Sequence, residues 1–109
     1  MLDERVVFRI EKNPYVSPPA YLAVFPEDDA RPGHIACTPF YFENGRPVFE
    51  PFTEMSLEYY YHTKPVHKDS RKAEQCLTAI TEYYHCRFEV GEKINRGRRV
   101  SYGPRMEKH

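Results

Sequence analysis

The spacing of apolar side chains changes near Asp69, and this change limits the folds that the chain can adopt. Before Asp69 apolar residues recur at every second position, as in Val6, Phe8 and Ile10, and after it they recur at every third or fourth position. A period of two alternates side chains across a strand, whereas a period near 3.6 gathers them on one stripe of a helix. The sequence therefore predicts a sheet before Asp69 and a helix after it.

Two apolar segments early in the chain predict strands. Residues 5–12 alternate, as a half-buried strand requires, whereas Tyr21–Phe25 is a continuous apolar run. Such a run is typical of a strand that is buried on both faces. We therefore place Tyr21–Phe25 at the centre of the sheet.

The next strand prediction covers residues 34–42 and contains a proline. Pro39 lacks the amide hydrogen of a ladder, which predicts an edge strand or a bulge. After it, Asn44 and Gly45 form the preferred pair of a two-residue hairpin turn. This turn should bring Tyr41 opposite Val48.

Residues 55–62 also alternate, which predicts a further strand with Tyr60 and His62 on the same side. The helix that follows begins at Asp69 or Ser70, whose side chains are suitable N-caps. Its apolar stripe consists of Ala73, Cys76, Leu77, Ile80, Tyr83 and Tyr84, and a last strand contains Cys86, Phe88 and Val90. The predicted fold class is α+β: a mostly antiparallel sheet of four to six strands, one long amphipathic helix packed on one face, and a basic C-terminal tail.

Charge is distributed unevenly along the chain, although the net charge is zero. Residues 93–109 contain six Lys or Arg and one acidic residue, giving 6 − 1 = +5, and residues 1–92 give 10 − 15 = −5. We therefore predict a single domain over residues 1–92 and a basic C-terminal extension over residues 93–109.

The composition of the chain argues against a membrane or secreted protein. It contains no apolar run of the roughly 20 residues that a spanning helix needs, and its first residues do not resemble an export signal. Cys37, Cys76 and Cys86 cannot all pair within one chain, so reduced thiols are the simplest interpretation. We expect a cytoplasmic protein that makes no membrane contact.

Several short motifs, taken in order, resemble a known group of proteins. They are Val7-Phe8-Arg9, Leu22-Ala23-Val24-Phe25-Pro26, Cys37, Tyr61-His62-Thr63-Lys64-Pro65 and Arg87-Phe88-Glu89-Val90. In this order the chain resembles small uncharacterised proteins of bacterial phages, plasmids and mobile elements. It departs from that group in its middle, where Glu43-Asn44-Gly45-Arg46 replaces a stretch rich in glycine and histidine. The resemblance implies a mobile-element origin and no mechanism.

Metal binding and Cys/His catalysis are one functional alternative. His34, Cys37, His85 and Cys86 supply the ligand types of zinc sites, but a spacing of three on a strand directs His34 and Cys37 to opposite faces. The chain contains no recognisable phosphate loop or nucleophile motif. The sequence therefore favours a non-catalytic protein without a metal or cofactor.

Two binding functions remain as predictions. The arginines of the extension, together with exposed tyrosines, are suited to nucleic acid, although the negative body repels a polyanion. We prefer a small protein-binding or regulatory module that contacts a protein partner or a second copy of itself. The candidate binding residues are Tyr60, His62, Arg96, Arg98 and Arg99.

Overall fold

The computed structural model describes residues 4–13, 18–91 and 94. Within these residues the chain forms seven strands and two helices. The strands are β1 (Glu4–Ile10), β2 (Tyr21–Phe25), β3 (His34–Glu43), β4 (Arg46–Phe49), β5 (Thr53–Ser56), β6 (Lys64–Pro65) and β7 (Phe88–Gly91), and the helices are α1 (Leu57–His62) and α2 (Arg71–Tyr84). The α+β class is confirmed.

All the described strands belong to one mixed sheet. The strand order is β4-β3-β2-β1-β6, with β5 also paired to β3 and β7 also paired to β1. The β1–β7 pair is parallel and the other pairs are antiparallel. The sheet predicted with four to six strands is therefore too small, because two short strands share each of its outer positions.

Strand β2 lies at the centre of the sheet, as predicted, and all five of its residues are buried. Strand β3 is not an edge strand, so that alternative for Pro39 is wrong. Pro39 pairs with Leu22 on β2, and its carbonyl oxygen accepts from the amide of Glu50 at 2.9 Å. On that side β4 pairs as far as Phe40 and β5 starts opposite Cys37. The missing amide hydrogen of Pro39 thus falls in the gap between two partner strands.

The hairpin between β3 and β4 has the predicted turn. Asn44 and Gly45 both adopt positive φ, at 53° and 80°. This conformation costs glycine little and asparagine less than most residues. Tyr41 lies opposite Val48, which confirms the predicted register.

The strand predicted over residues 55–62 is wrong beyond Ser56. Ser56 instead caps helix α1, and its Oγ accepts from the amide of Tyr59 at 3.0 Å. Leu57 and Tyr60, three residues apart on this helix, are both buried. Tyr61 also packs against the hydrophobic cluster that contains both, so the inward side of the helix includes Leu57, Tyr60 and Tyr61. The alternation of residues 55–62 therefore arose by chance and does not reflect a strand.

The two helices lie on opposite faces of the sheet, so the predicted single helix on one face is incomplete. Helix α2 begins after Ser70, whose Oγ accepts from the amide of Ala73 at 3.1 Å, as predicted. It packs Ala73, Cys76 and Ile80 on one face of the sheet. Helix α1 packs on the other face together with Ile94, which lies within the predicted extension. Among the described helices, neither is long and apolar enough to cross a membrane.

Candidate functional site

Of the residues that the sequence suggested for binding, the structure describes Tyr60 and His62, which differ in their exposure. Tyr60 lies on the inward side of α1 and is only 1% exposed, so its side chain is not available to a partner at the surface. His62 is exposed at the last position of α1, with its Nδ1 2.9 Å from the carbonyl oxygen of Glu58. Arg96, Arg98 and Arg99 lie outside the described residues. The role predicted for Tyr60 depended on the strand that α1 replaces.

A cleft of about 290 Å³ opens on the α1 face of the sheet. Its lining includes three apolar or weakly polar side chains from successive strands, Leu22 of β2, Cys37 of β3 and Met55 of β5. All three belong to the hydrophobic cluster that packs under α1. We call this depression the Cys37 cleft, and its buried lining forms an apolar floor.

Carboxylates and a tyrosine also belong to the lining of the Cys37 cleft. Glu11 follows β1, Glu50 lies between β4 and β5, Glu54 is on β5 and Tyr59 is on α1. They meet because β1, β2 and β3 are neighbours and β5 leads directly into the helix. The cleft therefore combines an apolar floor with an acidic, aromatic rim.

One hydrogen bond lies within the rim, and a second lies on β5, where Glu54 alternates with Met55 and faces the same side of the sheet as its partner Ala36. The hydroxyl of Tyr59 donates to the carboxylate of Glu11, and the guanidinium of Arg31 donates to the carboxylate of Glu54. The Arg31 hydrogen bond lowers the pKa of Glu54, whereas partial burial and the bond to Glu11 raise the pKa of Tyr59 to about 12. At neutral pH Glu54 is therefore ionised and Tyr59 carries its proton.

Cys37 is poorly suited to nucleophilic chemistry. Burial, and then the negative charge of Glu54, raise the pKa of its thiol to about 11. A thiol with such a pKa is almost entirely protonated at neutral pH, whereas the thiolate is the reactive form. The second buried thiol, Cys76, has its pKa raised to about 12 by burial. These two thiols behave as core side chains.

The side chains considered as metal ligands lie at different kinds of position, because Cys37 is buried within β3 whereas His34, His85 and Cys86 lie at element ends. His34 is the first residue of β3, with its Nδ1 3.2 Å from the carbonyl oxygen of Pro32. His85 ends α2 in the left-handed conformation and precedes the exposed Cys86. Over residues 4–13, 18–91 and 94, no three His, Cys, Asp or Glu residues come together in an arrangement that could hold a metal ion.

The tyrosines differ widely in their availability for stacking on bases. Tyr83 and Tyr59 are 47% and 39% exposed. The ring of Tyr83 stacks on Phe49 with 4.0 Å between centroids, and the hydroxyl of Tyr84 is 2.6 Å from Thr38 Oγ1. Tyr59 shares the cleft lining with Glu11, Glu50 and Glu54, whose charges repel phosphate. The exposed rings therefore lie apart, and Tyr59 lies in a negative environment.

Sequence reasoning missed the Cys37 cleft because its rim comes from separate segments. No local pattern in the sequence connects Glu50 with Glu11 or Tyr59. Comparison of the chain with protein-family models, with curated proteins and with solved structures gives no match.

Proposed function

We propose that this protein is a small binding module and that its Cys37 cleft receives an arginine or lysine side chain from a basic protein segment. The observation that carries the proposal is the combination of an apolar floor with a carboxylate rim in one depression. Arginine and lysine have this same division, because a charged head follows an aliphatic stem. The cleft thus matches the division of these side chains into an apolar and a charged part.

The charges on the rim support a cation as the ligand. Glu11 and Glu50 both belong to the cleft lining, and Glu50 is exposed. The exposed ring of Tyr59 beside these carboxylates offers a cation–π contact. Arginine suits this environment best, since its planar guanidinium binds carboxylates and stacks on aromatic rings.

We place this module in the cytoplasm as part of the same proposal. All three cysteines are free, and Cys86 is exposed. An exposed thiol is compatible with a reducing compartment, where disulfides are rare. The mobile-element origin that the sequence resemblance implies stays a prediction.

The test is a calorimetric titration of the full chain with an acetylated tetra-arginine peptide. Tetra-citrulline is the control peptide, because citrulline keeps the shape of arginine without its charge. We expect the arginine peptide to bind and the citrulline peptide not to bind. The double variant Glu11→Gln/Glu50→Gln should weaken binding about three- to tenfold, since each exposed ion pair contributes up to about 1 kcal/mol.

A second double variant controls for net charge. Glu74 and Glu82 are exposed on α2, which packs on the opposite face of the sheet. Glu74→Gln/Glu82→Gln changes the net charge equally and should leave the affinity nearly unchanged. Equal affinities for the two double variants, or equal binding of the two peptides, would refute the proposal.

A further inference from the structure

The path of the chain after β7 returns it to the face that carries the Cys37 cleft. Ile94 is only 3% exposed and belongs to the same hydrophobic cluster as Leu22, Cys37 and Met55, which form the cleft floor. Its amide donates a hydrogen bond to the hydroxyl of Tyr60 at 3.3 Å. Tyr60 is the neighbour in sequence of Tyr59, which belongs to the cleft lining. Ile94 therefore anchors the chain on the same face of the sheet as the cleft.

The segment that follows Ile94 is positively charged, as is the ligand that we propose for the cleft. Residues 95–109 contain five Lys or Arg and one Glu, giving 5 − 1 = +4. Arg96, Arg98 and Arg99 are two, four and five residues beyond Ile94. An extended chain covers about 3.3 Å per residue, so these positions can reach roughly 7 to 17 Å from the anchor. The upper figure exceeds three strand spacings of about 4.8 Å each.

We infer that the occupant of the Cys37 cleft in the free protein is the chain's own basic segment, residues 95–109, bound through an arginine side chain. This inference rests on the proposed function of the cleft. Covalent attachment at Ile94 gives the segment an effective concentration on the order of millimolar. A cleft that binds an arginine side chain with a dissociation constant of about 0.1 to 0.5 mM is therefore occupied by its own chain in most molecules. An external basic partner has to displace the segment before it binds.

The experiment compares full-length variants in the titration with tetra-arginine. The variant Arg96→Gln/Arg98→Gln/Arg99→Gln removes three charges from the segment. Its control, Arg46→Gln/Lys68→Gln/Arg71→Gln, removes three exposed charges that lie outside the cleft lining. At about 50 mM salt the segment variant should bind the peptide about three- to tenfold more tightly than the parent, and more tightly than the control. The difference should shrink at about 300 mM salt, where screening weakens the competing ion pairs.

The outcomes separate this inference from the proposed function. If the segment variant, its control and the parent bind equally while Glu11→Gln/Glu50→Gln weakens binding, the inference is wrong and the function of the cleft stands. If the parent and the segment variant both fail to bind and no glutamate variant has an effect, both proposals fail.

The titration also distinguishes the chain's own segment from that of a second copy. Competition within one chain does not depend on protein concentration, whereas competition between chains grows with it. The ratio of affinities between the segment variant and the parent should stay constant from about 10 to about 500 µM protein. A ratio that rises with concentration assigns the cleft to a second copy and overturns the inference.

Discussion

The guanidinium of Arg9 donates hydrogen bonds to both oxygen atoms of Thr63, at 2.8 Å to Oγ1 and 2.6 Å to the carbonyl oxygen. It also donates to the carbonyl oxygen of Tyr60 at 3.3 Å and lies 4.5 Å from the centre of that ring. The last carbonyl groups of a helix have no partner within it and carry partial negative charge. Arg9 of β1 therefore caps α1 from the sheet, although it is only 7% exposed.

The variant Arg9→Met tests this cap. Methionine keeps much of the aliphatic length but removes every donor, so the buried carbonyl groups of Tyr60 and Thr63 lose these partners. We expect the free energy of unfolding to fall by about 2 to 4 kcal/mol, measured by urea denaturation. Arg46→Met, on the exposed hairpin, should change it by less than about 0.5 kcal/mol. Similar losses for the two variants would contradict the cap.

A second hydrogen bond connects the end of α2 to the central part of the sheet. Thr38 is fully buried on β3, and its Oγ1 is 2.6 Å from the hydroxyl of Tyr84. Tyr84→Phe leaves the threonine hydroxyl without this partner and should cost about 1 kcal/mol. A double-mutant cycle with Thr38→Val should give a coupling energy of similar size.

Tyr83→Phe is the matched control, because Tyr83 is adjacent in sequence and is 47% exposed. It should leave the urea midpoint nearly unchanged. A coupling energy near zero between Thr38 and Tyr84 would show that their hydrogen bond does not stabilise the fold.

Local signals in the sequence were sufficient for about half of the architecture. The continuous run of β2, the Asn44-Gly45 turn and the Ser70 cap of α2 each lie within a few residues of the structure that they specify. In each case the local sequence favours the same backbone conformation that packing in the fold requires. No contact with a distant part of the chain is therefore needed to choose between strand, turn and helix.

Helix α1 and the Cys37 cleft depend on distant contacts. Over residues 55–62 the sequence fits both a strand and a helix, with Ser56 as a cap and Leu57, Tyr60 and Tyr61 at helical spacing. Arg9, more than fifty positions from Thr63, caps that helix at its end. The cleft rim similarly requires the pairing of β1, β2 and β3, and the parallel β1–β7 pair joins the two ends of the described chain. Periodicity within a short window carries no information about such pairings.

The hairpin turn gives a prediction with a glycine control. Gly45 has φ of 80°, a conformation that strains any residue with a Cβ atom, whereas a Cβ on Gly91 would make an ordinary contact with Val7 at 3.6 Å. Gly45→Ala should therefore lower the unfolding free energy by about 1 to 2 kcal/mol. Gly91→Ala should be nearly neutral in the same thermal denaturation measurement. If Gly91→Ala lowered the unfolding free energy more than Gly45→Ala, the positive φ of Gly45 would not explain the sensitivity of the turn to substitution.

The three thiols should differ in their reaction with a disulfide reagent at about pH 8. Cys86 is exposed, so the reagent can reach it, although partial desolvation and the negative charges of Glu4 and Asp28 raise its pKa. Cys37 and Cys76 are buried, with pKa values raised to about 11 and about 12, so they are both inaccessible and protonated. We expect one fast thiol in the native protein and three in urea.

Cys86→Ser provides the control for this assignment, because it should remove the fast phase without changing the other two thiols. The rate of the fast phase should rise as pH increases towards the raised pKa of Cys86, since the thiolate fraction grows. Fast reaction of Cys37 in the native protein would instead show that the Cys37 cleft opens to its floor. In that case a reactive thiolate, rather than a core side chain, would lie beneath the carboxylate rim.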